Sequence, residues 1–247
     1  MTRLILDALV AGRDAFRVGP LTLKAGRGAL IALIGPNGGG KTTLLKTVAG
    51  LIPARAGTVR IETGAGTEAG TEAGRPGVAY LPPPGGVGAA FSVLHLTALG
   101  RAGRRRWSPA LSPADLDAAR AALDDLGVAD LAARSFDHLS SGQQQLVLLA
   151  RLKVQDAAVC LLDKPLALLD PANAANVERA IAALTAGGHI VIASTHSLAF
   201  AARCDRVIAV GPDGVRVSPP GEALTADRLA ALYGLAPETW RNARPDL

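Results

Sequence analysis

A chain of 247 residues, 49% hydrophobic and only 3% aromatic, suits one globular domain or two closely joined lobes, with a core built from Ala, Val, Leu and Ile. Its formal charge of +5 fits a phosphate-bearing ligand, an acidic membrane surface or nucleic acid, and also an ordinary surplus of solvated arginine. Aromatics interleaved with basic residues are missing, which argues against a platform for single-stranded nucleic acid; Cys160 and Cys204 do not form a metal-spaced pair, and no run of about 18 apolar residues offers a membrane span.

The N-terminal stretch from Met1 to Phe16 becomes charged too soon for a secretory signal, so the sequence predicts a cytoplasmic protein. Leu30 to Ile34 reads as a buried strand running into a glycine-rich turn at Gly35. Thr42 to Ala49 reads as a helix closed by Gly50, and Gly57 to Glu62 and Gly77 to Leu81 as further strands. Between those strands Thr67-Glu68-Ala69-Gly70 is repeated as Thr71-Glu72-Ala73-Gly74, too short an array for a solenoid, and is expected to be a surface loop. Val93 to Leu152 is mostly helical. Ser112, Pro113 and Asp115 give a start signal, Leu116, Ala119, Leu123 and Leu126 follow helical spacing, and Gly127 is the stop. Arg104-Arg105-Arg106 is expected on a solvated loop.

Strand and helix then alternate. Ala157 to Leu162 is a strand ending at Asp163, and Asp170-Pro171 starts a helix reaching Gly187-Gly188. His189 to Ser194 and Asp205 to Val210 are strands, Gly221 to Leu232 a closing helix, and Arg241 to Leu247 a loose tail. This alternation predicts an α/β fold with a mostly parallel sheet covered on both faces, interrupted by a helical lobe.

The strongest chemical signal is Gly35-Pro36-Asn37-Gly38-Gly39-Gly40-Lys41-Thr42, which matches G-x-x-x-x-G-K-[ST] between a predicted strand and helix. Its glycines let backbone N–H groups turn toward phosphate oxygens, and the helix N-terminus adds its dipole. Lys41 is expected to reach the β- and γ-phosphates and Thr42 to hold Mg²⁺. Asp163 ends a buried strand, where a carboxylate either holds Mg²⁺ or caps the following turn; its pairing with the phosphate loop favours the metal.

Leu139-Ser140-Ser141-Gly142-Gln143 resembles the LSGGQ signature of ABC ATPases. Leu168-Leu169-Asp170 resembles their D-loop, Ser194-Thr195-His196 their switch histidine, and Tyr80-Leu81-Pro82 the approach to their Q-loop, all in family order. The wording of Val93 to Arg101 and of Ser140 to Arg151 is most similar to subunits that import iron-siderophore, haem or cobalamin compounds. The resemblance implies a P-loop NTPase core with an inserted helical subdomain and an N-terminal antiparallel β portion. It implies one ATP-binding domain over 1–247, with a nucleotide-binding core of roughly 1–84 and 156–247 and a helical subdomain of 85–155. It further implies ATP and Mg²⁺ as cofactors, bound by Gly35 through Thr42 with Thr43, and metal contact through Thr42 and Asp163. Ser140, Ser141, Gly142, Gln143 and Asp170 would serve the facing subunit of a homo- or heterodimer, and His196 the catalytic centre. The implied partners are a second ABC subunit, transmembrane permease subunits and, indirectly, a substrate-binding protein, with no nucleic acid. The chain would then sit on the inner face of the cell membrane through the permease.

Several positions depart from that pattern. Lys164 stands where the family places its catalytic Glu, and an ammonium has no acceptor with which to orient or deprotonate water. Pro83 stands at the Q-loop Gln, Ser141 at the first signature Gly, and Ser197 where Asp is common after the histidine. The adenine-stacking aromatic is not evident; Arg13 or Phe16 could serve. The expectation is an ABC importer ATPase subunit that binds Mg-ATP and turns it over slowly or not at all, or alternatively a non-hydrolytic, regulatory partner in a heterodimeric complex.

Overall fold

The structure, a computed structural model, describes residues 2–62, 77–84, 91–104 and 111–243. The tandem repeat at 67–74, Arg105, Arg106 and the last residues of the tail lie outside these.

The chain opens with β1 (Arg3–Arg13) and β2 (Phe16–Gly26), an antiparallel hairpin. β3 (Leu30–Ile34) feeds the phosphate-loop sequence and α1 (Lys41–Val48), and β4 (Ala56–Glu62) returns to pair with β1. After β5 (Val78–Leu81) come α2 (Val93–Ala98), α3 (Pro113–Asp125) and α4 (Ser141–Gln155), which pack on one another. The alternation resumes with β6 (Val159–Leu162), α5 (Pro171–Ala186), β7 (Ile190–Ser194), α6 (Leu198–Ala201), β8 (Arg206–Gly211) and β9 (Gly214–Ser218). The helices α7 (Pro220–Ala223), α8 (Ala226–Tyr233) and α9 (Pro237–Ala243) follow.

The described strands form a three-stranded antiparallel sheet, β2-β1-β4, and a six-stranded sheet, β5-β6-β7-β3-β8-β9. In the larger sheet β5, β6, β7, β3 and β8 run parallel and β9 is antiparallel at the edge. The predicted mostly parallel sheet and the N-terminal antiparallel portion are thus both present. Buried parallel strands carry apolar side chains on both faces. Along β6, Val159 and Leu161 face a cluster shared with α1 and the small sheet, whereas Cys160 and Leu162 face one shared with α4 and α5. β3 divides in the same way, with Ile31 and Leu33 on one side and Ala32 and Ile34 on the other.

Two sequence expectations change. The single closing helix expected over 221–232 is two helices, α7 and α8. Thr225 adopts an extended backbone at the junction, ending the first i→i−4 ladder, while its hydroxyl donates to the Glu222 carbonyl at 3.4 Å. The break lets Leu224 of the junction and Leu229 and Leu232 of α8 all reach the core. The edge strand β9, unassigned from sequence, pairs with β8 across the Pro212-Asp213 turn. By contrast the expected start of α3 is present as a full capping box: Ser112 Oγ accepts from the Asp115 N–H, and the Asp115 carboxylate accepts from the Ser112 N–H at 2.9 Å.

Candidate functional site

In an open parallel sheet, ligands bind beyond the carboxyl ends of the strands, where the loops diverge. Here the ends of β3, β5, β6 and β7 supply the phosphate loop, the Tyr80 strand, Asp163 and the Ser194–His196 segment.

The loop geometry needs its glycines. Gly40 has φ 93°, and a Cβ there would lie 2.2 Å from Val18 Cγ2; one on Gly35 would lie 2.1 Å from the Val210 carbonyl oxygen. Gly40 is also the N-cap of α1 and offers no side-chain cap, so the helix presents its first amides uncapped by any side chain, the arrangement an anion requires. Lys41, only 5% exposed, folds back into the loop, and its Nζ donates to the carbonyls of Gly35 at 2.7 Å and Pro36 at 2.9 Å. Burial first, and then the nearby Lys164, pushes its ammonium down to about 8 against the raising effect of Asp163.

Asp163 is fully buried at the end of β6. Its Oδ2 accepts from Thr42 Oγ1 at 2.6 Å and from the Tyr80 hydroxyl at 3.2 Å, and its Oδ1 accepts from Ser194 Oγ at 2.7 Å. Burial, then the carboxylate, raises the Tyr80 phenol well above its ordinary range, so Tyr80 stays a donor. The Thr42–Asp163 oxygen pair fits Mg²⁺, because neighbouring ligands of an octahedral ion with bonds of about 2.1 Å lie about 3 Å apart and hard oxygen donors are what it takes.

Lys164 leaves β6 with φ 54°, left-handed for a residue with a side chain. The turn is held by its own N–H, which donates to Ser194 Oγ at 2.7 Å. Its Nζ lies 3.3 Å from Asn37 Oδ1, so the ammonium points at the phosphate loop. His196, exposed just past β7, is held toward the neutral form by desolvation, then by the charges of Lys41 and Lys164. Pro83 lies just past β5 and has no side-chain polar group.

The signature residues are placed elsewhere, at the start of α4. Ser140 caps the helix, accepting from the Gln143 N–H at 3.3 Å, while Gln143 Oε1 accepts from the Ser140 N–H at 3.1 Å. Ser140 and Ser141 are exposed. Gly142 is buried against the start of α5, where a Cβ would lie 2.4 Å from the Asn173 side chain. Asp170 caps α5, accepting from the Asn173 N–H at 2.9 Å and its Nδ2 at 2.6 Å, bonds that hold its carboxyl below the usual range. Among the described residues no hydrogen bond joins Ser140 through Gln143, or Asp170, to the phosphate loop. One chain therefore brings together Gly35 through Thr42 with Asp163, Lys164 and His196, and leaves the signature group apart.

Arg13 and Phe16 sit opposite each other at the tip of the β1–β2 hairpin. The Phe16 ring lies over Gly40, its nearest carbons 2.9 Å from where a Cβ would be, and Arg13 lines a concavity with Thr42, Thr43 and Lys46. Tyr80 and Ser194 were legible only as motif neighbours; their bonds to Asp163 come from β5 and β7 flanking β6. Cys160 and Cys204 are buried free thiols, each raised to about 12 chiefly by burial.

A glycine loop at the start of α1, with a buried strand-end carboxylate bonded to its Thr42, places this chain among the α/β P-loop nucleotide-binding proteins. The family profile described as ABC transporter matches residues 18–167, and the chain belongs to that family. It is 34% identical over 217 residues to the manganese transport system ATP-binding protein MntB of Bacillus subtilis (strain 168), spanning 87% of this chain and 85% of that one. It is 35% identical over 232 residues to the hemin import ATP-binding protein HmuV of Myxococcus xanthus (strain DK1622), spanning 88% and 84%. An inward-facing structure of a metal-chelate type ABC transporter superposes with a TM-score of 0.83 at 26% identity, covering 94% of this chain and 89% of that one. No helix among the described residues is long and apolar enough to cross a membrane.

Proposed function

We propose that this chain is the ATP-binding subunit of an importer for iron-siderophore, haem or cobalamin compounds, and that it binds Mg-ATP but hydrolyses it slowly or not at all. The observation that carries the reading is the pairing of an intact phosphate loop with Lys164 in the place of a carboxylate, its ammonium directed at Asn37. Residues Gly35 through Thr43 would bind the phosphates through backbone amides, the Lys41 ammonium and the Thr42 and Thr43 hydroxyls. Thr42 and Asp163 would hold Mg²⁺, which neutralises phosphate charge when bound. Lys164 gives an attacking water no acceptor, and Pro83 supplies none in place of Gln. Loss of a general base costs about 10²–10⁴ in rate, so the residual turnover of a neutral His196 acting alone would be small.

The separation of Ser140, Ser141, Gly142 and Gln143 from the phosphate loop supports a head-to-tail dimer, in which each signature helix completes the other subunit's site and Asp170 lies at the junction. A capped helix start with an exposed Ser is half of an anion site. Dimer closure would drive transmembrane permease subunits, placing the chain peripherally on the inner face of the membrane, with a substrate-binding protein engaged only indirectly and nucleic acid not at all. The same Lys164 favours a second reading, a non-hydrolytic partner paired with an active relative.

The test is Mg-ATP binding and phosphate release measured together on the wild type and Lys164→Glu. Tight binding without release, with turnover gained by the Glu variant, is expected. Clear wild-type turnover that Lys164→Glu leaves unchanged would sink the account of Lys164.

A further inference from the structure

The phosphate loop has a nucleoside side and a far side. Arg13, Thr42, Thr43 and Lys46 line the concavity under the β1–β2 hairpin, whereas Asn37 and Lys164, neither of which lines it, meet 3.3 Å apart. A nucleotide with its base under the hairpin therefore points its outermost phosphoryl group toward Lys164. The ammonium is available there. Among the described residues its side chain has one polar partner, the uncharged amide oxygen of Asn37, and no carboxylate within ion-pair distance. Asp163 forms no ion pair with it; its carboxylate oxygens accept instead from the hydroxyls of Thr42, Tyr80 and Ser194. The position is also fixed. The left-handed backbone, the Lys164 N–H bond to Ser194, and the turn in which the Ala167 N–H donates to the Lys164 carbonyl at 3.1 Å aim the stem at the loop. Lys41 and Lys164 thus lie close enough to repel, with one buried carboxylate nearby, an excess of positive charge that a bound anion would offset.

We propose that Lys164 is a second phosphate-binding cation that makes this site select nucleoside triphosphate over diphosphate. The inference rests on the reading of the loop as an ATP site and deepens it: the residue that removes a base for hydrolysis supplies a contact that only the third phosphate reaches. Selectivity arises because a diphosphate stops at Lys41, leaving the Lys164 ammonium with Asn37 alone.

The experiment compares Mg²⁺ complexes of a non-hydrolysable ATP analogue and of ADP, by equilibrium binding, on the wild type, Lys164→Met and Lys164→Arg. The wild type is expected to prefer the triphosphate at least tenfold. Lys164→Met should lower that ratio about tenfold, a change of about 1.4 kcal/mol, with ADP affinity held within about twofold. Lys164→Arg should keep the preference. The wild-type ratio alone is decisive should a variant fail to fold: equal binding of the two nucleotides overturns the inference while leaving the ATP site intact. A ratio unchanged in Lys164→Met overturns it likewise. A wild type that binds neither nucleotide overturns the proposed function and the inference with it.

Discussion

Lys41 is an ammonium placed where water cannot solvate it, held by two carbonyls and facing a second lysine. Its pKa of about 8 lies below the ordinary value of 10.5. Between those values the unfolded chain binds a proton that the folded chain does not, so this group makes stability rise with pH across that window; its destabilisation is full below pH 8 and gone above 10.5. The difference is on the order of 3 kcal/mol. Lys41→Met should therefore raise apo stability at pH 7, less the loss of its two carbonyl contacts, and that advantage over wild type should shrink as pH climbs toward 10. Urea unfolding of both proteins across that range checks it; an advantage that stays flat with pH would show that Lys41 is not desolvated in the folded chain. The same variant should lose nucleotide binding.

The helices α3 and α4 start on the same local device. The Ser140–Gln143 capping box of α4 and the Ser112–Asp115 box of α3 are the same motif. Replacing either serine by Ala should cost about 1 kcal/mol of stability. Only Ser140→Ala should also weaken ATP-dependent dimerisation, seen by sedimentation with saturating Mg-ATP; equal losses in both variants would reduce Ser140 to a cap. The box itself is a local signal, a Ser with a Gln three residues on. It does not explain Gly142, which follows from the close approach of the Asn173 side chain on α5. Likewise the break at Thr225 was not legible: Gly221 to Leu232 has helical composition throughout, and the split comes from packing Leu224 and Leu229 on the same core.

Across the whole molecule the central sheet joins two cores, one under the antiparallel sheet and α1, the other under α4 and α5. Leu161 and Leu162 are adjacent in β6, fully buried, and face opposite cores. Leu161→Ala and Leu162→Ala should each cost about 2–5 kcal/mol. Because both sit on one strand, each should lower a single cooperative unfolding transition, followed by circular dichroism and tryptophan fluorescence together. Separate transitions by the two probes would mean that the halves unfold independently.

The sequence alone determined what is local or periodic: the phosphate loop, its flanking strand and helix, the caps of α3 and α5, the alternation that makes a parallel sheet, and the carboxylate ending β6. Those signals lie within a few residues of each other or repeat at a fixed spacing. The tertiary structure decided what depends on strand order. Placing β5 and β7 on either side of β6 gives Asp163 its bonds from Tyr80 and Ser194, and placing β6 close enough to the end of β3 turns Lys164 toward Asn37, 127 residues away in the chain. Strand order follows from how whole faces are buried, a sum over the molecule that no short stretch of sequence contains.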